Sequence, residues 1–154
     1  MIILLNGYFY KHEKLKVSIA VDEFSKKFNI SKNFYFTVHS VNEDESRKIN
    51  KKTFNKNFPT DVLSFPLYNN IDSINNLDKN MSEDMGDMFV CRNVIKKNAK
   101  IYNKDFSEEL QYIVIHGLLH LIGYSHKKND KLKIYEEELT VSYTHLTLPT
   151  SDLV

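Results

Sequence analysis

From Asp105 to Gly123 the chain reads DFSEELQYIVIHGLLHLIG, a helical stretch that becomes apolar nearly all the way round. A helix without a polar face cannot lie on a surface, so this segment has to be central and buried, with the rest of the chain built about it. Its limits are also written in the residues. Asp105, with Glu108 three residues later, makes a capping box at the start, and Gly123 stands where the helix must stop and the chain reverse. Into this apolar rod the sequence sets His116 and His120, four residues apart and so one above the other on one face. A third imidazole, His126, follows the helix-ending glycine, and the reversal can carry it back toward the first two.

A core histidine with satisfied hydrogen bonds is the ordinary alternative, and for one residue it would suffice. Three imidazoles at H-x3-H-x5-H spacing each need partners, and unpaired polar burial costs roughly 1–3 kcal/mol per group. One metal ion satisfies all three together. Three neutral imidazoles with one open position are the arrangement of a catalytic zinc, which brings the pKa of a bound water to about 7. The expected centre is therefore a single Zn2+ per chain on His116, His120 and His126, which act in catalysis through the water that the metal holds.

Around this segment the pattern is that of one α+β domain: a small mixed sheet of about four strands with about five helices, and the zinc site at the end of the central helix. Strands are expected at 1–5, 33–41, 61–67 and 86–91, and helices at 16–28, 42–54, 92–103, 105–122 and about 129–139. Asn42 caps the second of these, with Glu43, Asp44 and Glu45 in its first turn. Residues 68–85, dense in Asn and Asp and without sustained periodicity, read as a long surface loop.

The net charge of +1 gives no global case for nucleic acid. Of the 21 basic residues only Arg47 and Arg92 are arginines, so bidentate phosphate recognition has few candidates and lysine must serve as a point charge. The single cysteine, Cys91, excludes an internal disulfide and fits a reducing, cytoplasmic setting. No export or membrane-spanning segment is expected. The last residues break the pattern: VSYTHLTLPTSDLV, 141–154, lacks the Lys and Asn that load the preceding chain. It resembles a translated sequencing-adapter tail, so the domain is placed at 1–140, the tail is read as non-native, and His145 is given no role.

Two enzyme families share the histidine spacing. Metzincin proteases use H-E-x-x-H-x-x-G-x-x-H, and Gly123 matches, but Gly117 stands where their general-base glutamate belongs and no methionine follows Met88 to make their Met-turn. The other match is closer. His116-Gly-Leu-Leu-His120-Leu-Ile-Gly123-Tyr-Ser-His126, with Pro59-Thr-Asp-Val-Leu-Ser-Phe-Pro66, Gly86-Asp87 and Ile49-Asn50 in register before it, resembles the YbeY family over about residues 34–139.

Members of that family are bacterial rRNA maturation factors described as zinc-dependent, single-strand-specific endoribonucleases. The resemblance implies metal-assisted hydrolysis of RNA phosphodiesters, in rRNA maturation and ribosome quality control. It implies single-stranded, ribosomal RNA as substrate and small-subunit ribosomal proteins as partners. It also implies a cleft beside the 59–66 segment in which Asp61, Ser64 and Ser125 surround the ligands. Lys51, Lys52 and Lys56 would steer the RNA backbone.

Three positions depart from the family pattern. Phe54 occupies the place of an arginine implicated in substrate handling. Ser125 replaces an aspartate beside the third histidine, where a carboxylate would fix the ligand's tautomer. In the closing helix, Asp130 and Glu136–Glu138 follow the family's acidic spacing only loosely. Phe54 and Phe58 could stack exposed bases, although packing in the core or at a rim is the commoner role for such rings. The alternative to a nuclease is a metal-binding ribosome-assembly factor with weak or no cleavage, favoured by the loss of the arginine at Phe54.

Overall fold

The expected apolar rod is the helix around which the other elements pack. In this computed structural model, residues 1–125, 131–144 and 146 are described. Four strands, β1 (Ile2–Asn6), β2 (Phe34–Val41), β3 (Val62–Pro66) and β4 (Glu83–Cys91), form one sheet in the order β1-β2-β4-β3. β1, β2 and β4 run parallel, and β3 is antiparallel on the edge beside β4. The helices are α1 (Lys11–Phe28), α2 (Glu43–Phe54), α3 (Ile71–Asn75), α4 (Arg92–Ile101), α5 (Phe106–Leu121) and α6 (Leu132–Thr144).

Strand alternation turns Phe34, Phe36, Val38, Met88 and Val90 to one face, where all are buried. Against that face lies α5, with Leu110, Val114, Ile115, Leu118, Leu119 and Leu121 at 1% exposure or less. α1, α4 and α6 surround α5, which also crosses β3. α5 is therefore buried along most of its surface, as its sequence demanded. The mixed sheet and the α+β class agree with the sequence reading, and the described residues hold six helices where about five were expected.

Four local expectations need correction. The 68–85 segment is not a structureless loop: Asn70 caps α3, accepting from Ser73 N–H at 2.9 Å, because Ile74 has a buried place in the core. β4 begins at Glu83 rather than Gly86, since Glu83 and Asp84 pair with Phe34 and Tyr35. α1 begins at Lys11 rather than residue 16. Its first turn is held by Tyr10 N–H donating to Glu13 Oε1 at 2.9 Å, and Glu13 is itself 2% exposed. A buried glutamate carries no hydrophobic periodicity, which is why the turn was missed. At α5, Asp105 is the N-cap by backbone geometry, but its side chain makes no capping bond. The carbonyl of Asp105 receives Glu109 N–H at 3.1 Å instead.

The compositional break expected at residue 140 falls inside α6, which continues to Thr144 and buries Tyr143. His126, Asp130, His145 and the expected helix start at 129 lie outside the described residues. Among the described residues no helix is long and apolar enough to cross a membrane.

Candidate metal centre and cleft

The site is made by the way α5 ends. Gly123 adopts φ +103°, its N–H donates to His120 O at 3.0 Å, and Tyr124 N–H donates to Leu119 O at 3.0 Å. These are the paired bonds of a Schellman cap, which needs a left-handed residue one past the helix. A side chain there would also be blocked, because a Cβ on Gly123 would lie 2.7 Å from Asn69 O and 2.8 Å from Asn70 Cα. The reversal read from the sequence is thus enforced twice, and it brings Tyr124 and Ser125 to the wall of a cleft that also holds the two histidines.

His116 and His120 lie one turn apart, with Nε2 of one 3.0 Å from Nε2 of the other and ring centroids 4.6 Å apart. Nδ1 of His116 is bonded to Oε1 of Glu136. A carboxylate only accepts, so Nδ1 carries the proton and Nε2 presents its lone pair. Two facing imidazole nitrogens need a proton or a cation between them. Tetrahedral zinc at 2.0–2.1 Å from each nitrogen would place two ligands about 3.3 Å apart, close to the observed spacing. The two described imidazoles are thus spaced as two ligands of one metal would be; among the described residues no third ligand joins them, and His126 lies outside those residues.

Glu136 is the functional residue that sequence reasoning undervalued. It is 6% exposed, and its second oxygen accepts from Tyr112 O–H at 3.0 Å. Burial, then the neighbouring Glu136 charge, pushes the Tyr112 hydroxyl's pKa well above the ordinary 10. The signal was available: Leu132, Glu136, Leu139 and Tyr143 form the buried stripe of α6, and a carboxylate in an apolar stripe requires a partner. Position 125 carries a serine beside the third histidine, whereas the first histidine, His116, has its carboxylate from α6.

Gly117 explains why the general-base position is empty. Here α5 presses onto the sheet, and a Cβ would meet Met88 Cε at 2.5 Å, Met88 Sδ at 2.8 Å and Ser64 Oγ at 3.0 Å. The Ser64 hydroxyl donates to Gly117 O at 3.1 Å, tying β3 to the helix between the two histidines. A glutamate at 117 would have to displace Met88 and crowd Ser64, so packing as well as sequence disfavours the metzincin reading.

The histidines open into a cleft of about 490 Å3 between α5 and the residues running from the end of α2 to β3. The expected neighbours Asp61, Ser64 and Ser125 line it, and so does Lys56; Lys51 and Lys52 are exposed on α2 but do not. Asp61 is occupied in holding its own turn. Its Oδ1 accepts from Val62 N–H at 2.8 Å and its Oδ2 from Asn98 Nδ2 at 3.3 Å. Phe54 and Phe58 stand on the wall at 50% and 54% exposure, which removes them from the core.

Both arginines are committed elsewhere. Arg92 makes a two-pronged bond to Glu13, at 2.9 Å for each prong. Arg47 binds Asp44 Oδ1 at 2.7 Å and Asn57 Oδ1 at 3.0 Å.

The profile of the family described as endoribonuclease YbeY matches residues 10–146. A curated Lactobacillus helveticus relative named endoribonuclease YbeY is 40% identical over 112 residues, 70% of this chain and 64% of its own length. A Thermotoga neapolitana relative of the same name is 38% identical over 117 residues, 75% of this chain and 67% of its own. The solution structure of a Thermotoga maritima protein superposes with a TM-score of 0.61 at 26% identity, covering 94% of this chain and 90% of that one. The chain thus spans just under two thirds of the length of the first curated relatives it matches.

Proposed function

The chain belongs to the YbeY family, and on that footing we propose that it is a metal-dependent endoribonuclease cutting single-stranded RNA. His116, His120 and His126 would hold one zinc. The setting is the cytoplasm, with ribosomal RNA as substrate, maturation of that RNA and ribosome quality control as the role, and small-subunit ribosomal proteins as partners. The observation that carries the reading is the facing Nε2 pair of His116 and His120, 3.0 Å apart in the cleft wall, with a buried carboxylate fixing the first ring.

When bound, zinc supplies a Lewis acid for a phosphoryl oxygen and a water of near-neutral pKa. The residues of the chain do the rest. Glu136 keeps the His116 proton on Nδ1, and Tyr112 keeps Glu136 in place. The Gly123 cap fixes the direction in which Tyr124 and Ser125 leave α5. Ser64 and Gly117 set the depth at which α5 sits against β3. The 54–66 wall confines the RNA opposite the histidines. No side chain at position 117 competes for the proton of the attacking water.

Incubating the zinc-loaded full chain with a single-stranded RNA, beside His116→Ala, tests this. Cleavage that disappears in the variant is expected; equal residual cleavage in both would refute it. A second reading, a metal-binding assembly factor with little cleavage, draws support from the cleft wall. Among its described residues Lys56 is the one lysine or arginine.

A further inference from the structure

Phe54 and Phe58 are placed as a pair. Phe54 is the last residue of α2, whose end is fixed by Asn55 at φ 57°, with Asn55 N–H donating to Lys51 O at 3.0 Å. The backbone at Phe58 is held by the buried Asn50, whose side-chain amide donates to Phe58 O at 2.9 Å. The Phe54 ring lies nearly parallel to Phe65 at 28°, with centroids 6.4 Å apart, so protein backs it while half of the residue stays open. Both rings line the cleft that contains His116 and His120. Single exposed apolar side chains are commonplace, but two half-exposed rings lining one cleft are less so.

The charge around them is thin. Arg47 and Arg92 are held by carboxylates, Lys51 and Lys52 lie outside the cleft, and among the described residues that line it Lys56 is the one lysine or arginine. Among its described residues, a cleft wall with two open aromatic rings and one lysine offers more to flat apolar faces than to phosphates. The nucleic-acid surface of that kind is the face of a base. In a duplex those faces are covered by neighbouring base pairs; in a single strand they are free to stack on side chains.

We propose that Phe54 and Phe58 select single-stranded RNA by stacking unpaired bases at the cleft wall. This rests on the RNA-cleaving reading and specifies how that cleft chooses its substrate. Recognition passes from the phosphate to the base, so affinity depends on free bases and only weakly on salt. With about one phosphate neutralised, the log–log salt dependence for a single strand should have a slope of about −0.7.

The test measures binding of a fluorescent 12-nucleotide RNA by the full chain in chelator, so that the strand survives, using three forms: single-stranded, duplex and abasic. Stacking predicts that Phe54→Ala and Phe58→Ala each weaken the single strand by about 5- to 150-fold. They should leave the abasic strand unchanged, and Phe54→Trp should retain wild-type affinity. Melting temperatures of the alanine variants check that both still fold, as the exposure of the rings leads one to expect. Alanine variants that bind the single strand as tightly as wild type would overturn the proposal. So would an equal loss on the abasic strand, or tight duplex binding with a steep salt slope. Ring-dependent binding without cleavage by the zinc-loaded chain would sustain this inference and refute the nuclease. Cleavage with ring-independent binding would do the reverse.

Discussion

Glu136 of α6 holds Nδ1 of His116 of α5, joining two helices through the ring that presents Nε2 to the cleft. The carboxylate is buried, and the Tyr112 hydroxyl donates to its other oxygen at 3.0 Å. The orientation of this candidate ligand is therefore determined by a residue outside the histidine motif.

Glu136→Gln should weaken zinc binding roughly 10- to 100-fold, the usual cost of losing an outer carboxylate. Tyr112→Phe, which removes one bond to that carboxylate, should cost less. Competition with a chromophoric chelator reads both. Unchanged affinity in Glu136→Gln would reduce the residue to a helix-packing role.

Gly117→Ala adds a methyl where Met88 Cε and Sδ already lie within 2.8 Å. Met88 can move in part, so the loss should be about 1–3 kcal/mol by chemical denaturation, as for other overpacked cores. Gly117→Glu should lose more and should not create a protease. A Gly117→Ala variant of wild-type stability would show that α5 is not pressed on the sheet.

Arg92→Lys keeps the charge but breaks the fork to Glu13, which is 2% exposed and also serves the first turn of α1. A lysine cannot reproduce both bonds, and Arg92→Ala leaves a buried carboxylate unpaired, at about 3–5 kcal/mol. Urea denaturation should rank wild type above Arg92→Lys above Arg92→Ala. Retained stability in the alanine variant would refute the pairing argument.

Burial raises the pKa of Glu109 above its ordinary 4.5, and Lys104 at 3.6 Å only partly opposes this. The folded chain therefore holds this proton more tightly than the unfolded chain. Its contribution to stability is full below pH 4.5 and is lost as pH rises through the raised value. Glu109→Gln cannot ionise, so it should gain on wild type as pH rises from 4 to 8. A stability difference that stays constant with pH would contradict this.

How much was legible beforehand follows from what each element displays. α5 was readable because its apolar character is continuous and Gly123 ends it, and the Asn42 cap was readable because its side chain does accept from Glu45 N–H, at 2.8 Å. The histidine pair could be placed on one face by spacing alone. What could not be read were polar groups with distant partners. Glu13 meets Arg92 across 79 residues of chain with nothing local to mark it, and Glu136, 20 residues from His116, is marked only by its place in the apolar stripe of α6. The cleft was similarly hidden: Lys51, Lys52 and Lys56 look alike in sequence, yet only Lys56 lines it.

Metal content tests the central claim most directly. The account predicts about one zinc per chain in protein purified without a metal-affinity tag. That zinc should be lost in His116→Ala, in His120→Ala and in His126→Ala, and kept in His145→Ala. A wild-type chain that binds no zinc in equilibrium titration, or His116→Ala and His120→Ala variants that bind it as tightly as wild type, would contradict it.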